Sequence, residues 1–138
     1  MKYFETYEYK GIGYEKLFHH QSWRIAILNY IEELEIKNIN YVECHTLTDE
    51  VFVLLKGEFH LFFAEVEHNE IKGFIMKSLE PNKVYKIPKG VYHAHTLSQD
   101  AQVLIVEEEN TSYDNSPRIY LDQSKKEMLQ KEFKVCTK

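Results

Sequence analysis

Between positions 43 and 57 the chain sets Glu43, Cys44 and His45, then four residues, Glu50, then six residues and Gly57. Carboxylates and neutral imidazoles are the side chains that bind divalent ions and move protons. On a strand, residues two apart project from one face, so Glu43 and His45 point the same way and can converge on one ion. Glu50, at the start of the following strand, can approach that point from the side. A second stretch, Pro88-Lys89-Gly90-Val91-Tyr92-His93, brings a histidine to the entry of another strand, and His95 lies two residues on, facing the same side. Taken singly, each is an ordinary surface or hydrogen-bonded residue; the ordered set with fixed gaps is what points to a metal site.

Other side chains take their places by the same alternation. Tyr41 shares a face with Glu43 and His45 and is assigned to the wall of a substrate cavity, whereas Cys44 and Tyr92 face away. Cys44 reads as a small buried hydrophobe. Arg24 lies in an apolar run beside Ile25, Ala26, Ile27 and Leu28. A buried guanidinium needs a partner, so it either meets solvent or binds an anionic group in the cavity. His60 alternates with Phe62 and Ala64. It reads as a satisfied core histidine or as a further substrate contact inside a barrel. His19, His20 and His68 fall in expected loops.

The elements that must hold these residues are short strands. Segments rich in β-branched and aromatic residues recur between turn signals at 23–30, 39–46, 50–56, 58–66, 71–79, 83–87, 91–97 and 102–108. Gly57 marks one hairpin turn, and Asn69 with Glu70 marks another tip. Regular spacing of this kind predicts a closed or two-sheet antiparallel architecture, a barrel or jelly roll. Only the C-terminus reads as helix, with Ser124 and Glu127 at capping-box spacing and Met128, Leu129 and Phe133 on one stripe. Residues 110–121 read as a turn-rich connection, and the first 22 are ambiguous.

The ordered residues resemble the two motifs of the cupin family. The first motif runs His-x-His, three or four residues, Glu, six residues, Gly; His45, Glu50 and Gly57 match it. The second runs Gly, five residues, Pro-x-Gly, two residues, His, three residues, Asn; Pro88, Gly90 and His93 match it. Glu43 replaces the leading His, Lys37 a preceding Gly, Asn82 the Gly that opens the second motif, and Leu97 its final Asn. The resemblance implies an all-β cupin double-stranded β-helix, or jelly-roll barrel, with a short C-terminal helix. Residues 1–138 would form one domain, the barrel spanning about 23–108 and residues 109–138 forming the connection and helix. It also implies one divalent transition metal and a homodimer. With Glu43 as a ligand, the set is Glu43, His45, Glu50 and His93, which suits Fe, Mn, Ni or Zn. With Glu43 off the metal, His45, Glu50 and His93 form a two-His, one-carboxylate triad, and Glu43 is free as a catalytic base or as a partner to a ligand. His95 is either an alternative fourth ligand or a substrate contact, alongside Tyr41, Arg24 and His60.

That resemblance leads to a small-metabolite enzyme, an isomerase, epimerase or lyase acting on a sugar or a hydroxy or keto acid with the metal as Lewis acid. A non-haem Fe(II) dioxygenase and a non-catalytic ligand-binding or sensing cupin are the alternatives. Composition bounds the partners. The 138 residues carry a net charge of -5, which repels a phosphate backbone, and Lys83, Lys86 and Lys89 read as a solvated rim. The longest apolar run, Val51–Leu55, is far too short to span a bilayer. No apolar stretch near the N-terminus suggests a secretory signal, and two distant cysteines fit a reducing cytoplasm. The partner expected is therefore a small polar metabolite, with no nucleic acid and no membrane. Aromatics at 14% are expected mainly in the core of the strands.

Overall fold

The computed structural model describes residues 3–137. Its strands are β1 (Tyr14–His20), β2 (Trp23–Asn29), β3 (Tyr41–Glu43), β4 (Glu50–Lys56), β5 (Phe59–Glu67), β6 (Glu70–Ser78), β7 (Val84–Ile87), β8 (His93–Leu97), β9 (Gln102–Glu108) and β10 (Arg118–Tyr120). They form two five-stranded sheets, ordered β1-β2-β9-β4-β7 and β10-β3-β8-β5-β6. All the pairings are antiparallel. One helix, α1 (Gln123–Cys136), closes the described chain. This is the all-β jelly roll with a C-terminal helix that the strand spacing and the motifs lead to.

The turns follow from a few residues. At Gly57, between β4 and β5, φ is +77°, and an added Cβ would stand 2.6 Å from the Ala101 Cα, so only glycine fits. His68 and Asn69 both have positive φ and form the two-residue turn between β5 and β6, with the twist that antiparallel hairpins favour. Asn82, which stands where the second motif has Gly, adopts φ of 65°, a conformation asparagine tolerates.

Period-two alternation assigns the faces. On β4, Glu50, Phe52 and Leu54 point inward; on β9, Val103, Ile105 and Glu107 do so. Phe52, Phe59, Leu61, Val103 and Ile105 belong to the cluster between the sheets. A second cluster, with Val42, Phe62, Phe74 and Leu129, lies on the outer face of the second sheet, under α1. The aromatics are only partly core: Phe52, Phe59, Phe62 and Phe74 are divided between the two clusters, whereas Tyr3, Phe4, Trp23, Tyr113 and Tyr120 are exposed, which corrects the expectation that most are buried. His60 shares parity with Phe62 and therefore belongs to this outer layer. Its Nδ1 lies 2.7 Å from Ser78 Oγ, and its ring meets Phe133 of α1 edge-on at 5.5 Å. The placement of His60 as a substrate contact is thereby corrected: one residue of strand register puts it on the far side of the sheet from the cavity.

Four further details differ from the sequence expectations. The ambiguous N-terminal region contains β1, so His19 and His20 are strand residues. The 39–46 segment keeps only Tyr41–Glu43 as strand, because 3-10 turns at Glu32–Leu34 and Ile36–Asn38 precede it. Within 110–121, β10 pairs with β3. The α1 N-cap is Asp122, whose Oδ1 accepts from the Lys125 backbone N–H at 2.9 Å, in place of the expected Ser124–Glu127 box. Among the described residues no helix is long and apolar enough to cross a membrane.

Candidate metal centre

His45, Glu50 and His93 meet inside the barrel. Each is under a tenth exposed, and one donor atom from each lies within 4.8 Å of the others. They arrive from three places. Glu50 opens β4 in the first sheet and His93 opens β8 in the second. His45 follows β3 in an extended stretch whose neighbours Cys44 and Thr46 donate backbone N–H groups to the carbonyls of Pro117 and Asn115. Glu50 Oε1 stands 3.1 Å from both His45 Nε2 and His93 Nε2.

The outer ring atoms are also held. His93 Nδ1 lies 3.0 Å from the Val91 carbonyl, which can only accept, so Nδ1 carries hydrogen and Nε2 is the atom left to bind an ion. His45 Nδ1 meets Ser116 Oγ at 2.8 Å. Burial works against charge on Glu50, but hydrogen bonds from His45 and His93 outweigh it and hold the carboxyl well below the usual range. His45 is shifted up, Glu50 overcoming the opposing effect of burial. Two oriented imidazoles and an ionised carboxylate, buried together, are a donor set that fits a divalent transition metal.

Two cross-strand rows extend from this point. In the first sheet, β4–β9 register continued one step from Val51↔Val106 sets Glu50 beside Glu107, and Glu107 faces Arg24 on β2. Arg24 Nη2 donates to Glu107 Oε1 at 2.5 Å, and its guanidinium also meets the carbonyls of Glu109 and Thr111. In the second sheet, His93 faces Glu43, and Glu43 faces Arg118. Arg118 Nε donates to Glu43 Oε2 at 3.2 Å, while its guanidinium lies over the rings of Tyr41 and Tyr113, at 4.0 and 4.7 Å. Each row reads metal candidate, carboxylate, arginine.

Glu43 lies outside the convergent donor group, and its carboxylate meets Arg118 of β10. Arg24 is turned inward and paired with Glu107, not in solvent. Arg24, Tyr41, Glu43 and His95 line a cavity of about 910 Å³ together with the triad. His95 is not in the donor group. Its ring stacks on Phe59 at 5.1 Å and meets Phe52 edge-on at 5.8 Å. Burial, followed by its neighbour His93, pushes its pKa down to about 4, so it is a neutral imidazole.

Glu107, Arg118 and Ser116 were not singled out from the sequence. For Glu107 the signal was present: on 102–108, Val103, Ile105 and Glu107 share a face, and a carboxylate in that series must find a partner. Arg24 breaks the same pattern on β2, and the two are cross-strand partners. Arg118 and Ser116 carry no such mark, since they stand among turn-forming residues.

No family model matches the chain, and no curated protein matches it. Solved structures do. A cupin-2 domain containing protein from Shewanella frigidimarina superposes with a TM-score of 0.52 at 19% identity, over 73% of this chain and 85% of that one. The iron(II) form of HppE gives 0.52 at 17%, over 69% of this chain and 49% of that one. A Streptomyces PAC13 variant with uridine gives 0.57 at 6%, over 91% and 98%. At such identities the likeness establishes the fold: the chain has the cupin fold.

Proposed function

We propose that this cupin is a metal-dependent enzyme acting on a small, hydroxylated polar metabolite, by isomerase, epimerase or lyase chemistry. The observation that carries the reading is the convergence of His45 Nε2, Glu50 Oε1 and His93 Nε2 on one point in the wall of a large cavity. A divalent ion held there supplies Lewis acidity toward a carbonyl or hydroxyl oxygen.

The chain's own groups account for binding and orientation. The His95 Nδ1 is buried without a partner. A stranded N–H costs more than a bare lone pair, so the ring hydrogen belongs on Nε2, which makes His95 a hydrogen-bond donor to substrate oxygen. Arg118, clamped between Tyr41 and Tyr113 and fixed at Nε by Glu43, forms a flat cationic wall that suits the face of a sugar or a planar ring. Both arginines are already matched by carboxylates, which favours neutral hydroxylated substrates over phosphates. The Glu43 carboxylate faces the cavity and can take up and return a substrate proton.

The two-His, one-carboxylate set equally supports a second reading, an Fe(II) dioxygenase. The likeness to the iron form of HppE is compatible with it. Elemental analysis of protein purified without added metal tests the shared foundation, with His45→Ala and His93→Ala as controls. Wild type should carry near-stoichiometric transition metal and the variants little; equal, negligible content in all three removes both enzyme readings. Oxygen uptake with a panel of small metabolites then separates them, since only the dioxygenase consumes oxygen.

A further inference from the structure

We propose that Ser116 is a positioning residue of the metal centre, and that together with Asn115 it fixes which ring nitrogen of His45 carries hydrogen. This rests on the metal reading above and deepens it, because it names what readies one ligand for the ion. Ser116 is 4% exposed. Its Oγ lies 2.8 Å from His45 Nδ1 and 3.4 Å from Asn115 Oδ1. The Asn115 amide has one orientation: Nδ2 donates to the Asn110 carbonyl at 2.7 Å, and Oδ1 accepts from the Ser112 backbone N–H at 3.0 Å. Neither backbone group can exchange its role.

A serine hydroxyl both donates and accepts, so alone it leaves the His45 ring undecided. Asn115 Oδ1 can only accept, which draws the Ser116 hydrogen toward it and turns a lone pair to His45. Nδ1 then carries the ring hydrogen, and Nε2 faces Glu50 with a bare lone pair, ready for an ion. The Val91 carbonyl imposes the same choice on His93. For His45 the opposite choice has its own partner: with hydrogen on Nε2, the ring donates to Glu50 Oε1 at 3.1 Å and closes the position an ion needs. Ser116 opposes that state. Backbone bonds hold the relay in place on either side of His45, from the Cys44 N–H to the Pro117 carbonyl and from the Thr46 N–H to that of Asn115, at 3.2 and 3.1 Å. Arg24 anchors the other end of the segment through the carbonyls of Glu109 and Thr111. The connection between β9 and β10 thus adds no donor to the convergent group, but it orients one.

Cobalt(II) is the probe. Metal-free wild type, Ser116→Ala and Ser116→Thr are titrated with CoCl2 by calorimetry, and circular dichroism checks the fold of each. Proton NMR of the loaded proteins then records the exchangeable, paramagnetically shifted N–H signals of the ligating rings. Wild type should show two, one each from His45 and His93. In Ser116→Ala affinity should fall about 10-fold or more, and one of the two signals should shift or be lost to exchange while the other stays. Ser116→Thr keeps the hydroxyl and should return affinity to within about 3-fold of wild type, with both signals. Wild-type affinity in Ser116→Ala overturns the proposal while the metal reading stands. So does a loss of affinity with both signals in place, or an equal loss in Ser116→Thr, since either makes Ser116 a packing residue only. Wild type that takes up no cobalt overturns both. Should Ser116→Ala fail to fold, long-range proton–nitrogen spectra of zinc-loaded wild type decide: a hydrogen on His45 Nδ1 in contact with the Ser116 methylene supports the proposal, and its absence overturns it.

Discussion

Asn82 and Gly57 occupy positions where the cupin motifs place glycine, yet they differ in what they demand of the chain. Both have positive φ. At Asn82 the requirement is conformational alone, and asparagine meets it through its tolerance of the left-handed region. At Gly57 the conformational need is joined by the Ala101 backbone, 2.6 Å from any added Cβ. Asn82→Gly should therefore be neutral or stabilising by up to about 1 kcal/mol, and Asn82→Ala should cost about 1 kcal/mol. Gly57→Ala should cost about 3 kcal/mol or more, because the clash is with backbone. Urea midpoints of the three variants check the order; a mild Gly57→Ala would mean that the β4–β5 turn can shift. Residue chemistry was legible to the same degree. Motif spacing identified His45, Glu50 and His93, of which Glu50 and His93 open their own strands and His45 directly follows β3. Glu43 was ambiguous because the arginine that claims it lies 75 positions on in sequence.

At the scale of elements, the strands with strong internal pattern were readable and those made by their neighbours were not. β10 has three residues, preceded by Asp114, Asn115, Ser116 and Pro117, a run that signals turns. It is a strand because β3 offers it an edge. Helix α1 was legible from its stripe, but not the face it covers, and that face decides His60. Burial there holds the His60 pKa below the ordinary histidine value, with Glu58 acting weakly in the other direction. The folded state thus binds fewer protons than the unfolded chain. Stability from this group is complete above the unfolded pKa of about 6.5 and declines as pH falls below it. Between about pH 7.5 and 5.5, His60→Gln should lose less stability than wild type, measured as the shift in urea midpoint. Equal slopes would show that His60 ionises freely beneath α1. Leu129, fully buried under the same helix, gives the companion test: Leu129→Ala should cost about 2–5 kcal/mol.

For the whole molecule, the consequence of the cupin arrangement is that one ion would join two sheets. Glu50 belongs to the first sheet, His93 to the second, and His45 to the segment held by residues 115–117. Apart from His95 and the Arg24–Glu107 pair within the first sheet, the core between the sheets is apolar, so the donor cluster is where polar groups of the two sheets meet. An ion bound there favours the folded state alone, because unfolding separates donors that are 43 positions apart or more across the sheets. Ligand linkage then sets the magnitude: at free cobalt 100-fold above its dissociation constant, unfolding should become about 2.7 kcal/mol more costly. Thermal unfolding of wild type with cobalt and with a chelator measures this. His93→Ala should show no difference between the two conditions, while Leu129→Ala, weakened on the far side of the second sheet, should keep the full cobalt-dependent increment. A cobalt effect that survives in His93→Ala would place the ion elsewhere on the molecule. Loss of the increment in Leu129→Ala would show that the helix-covered core and the metal centre form one cooperative unit.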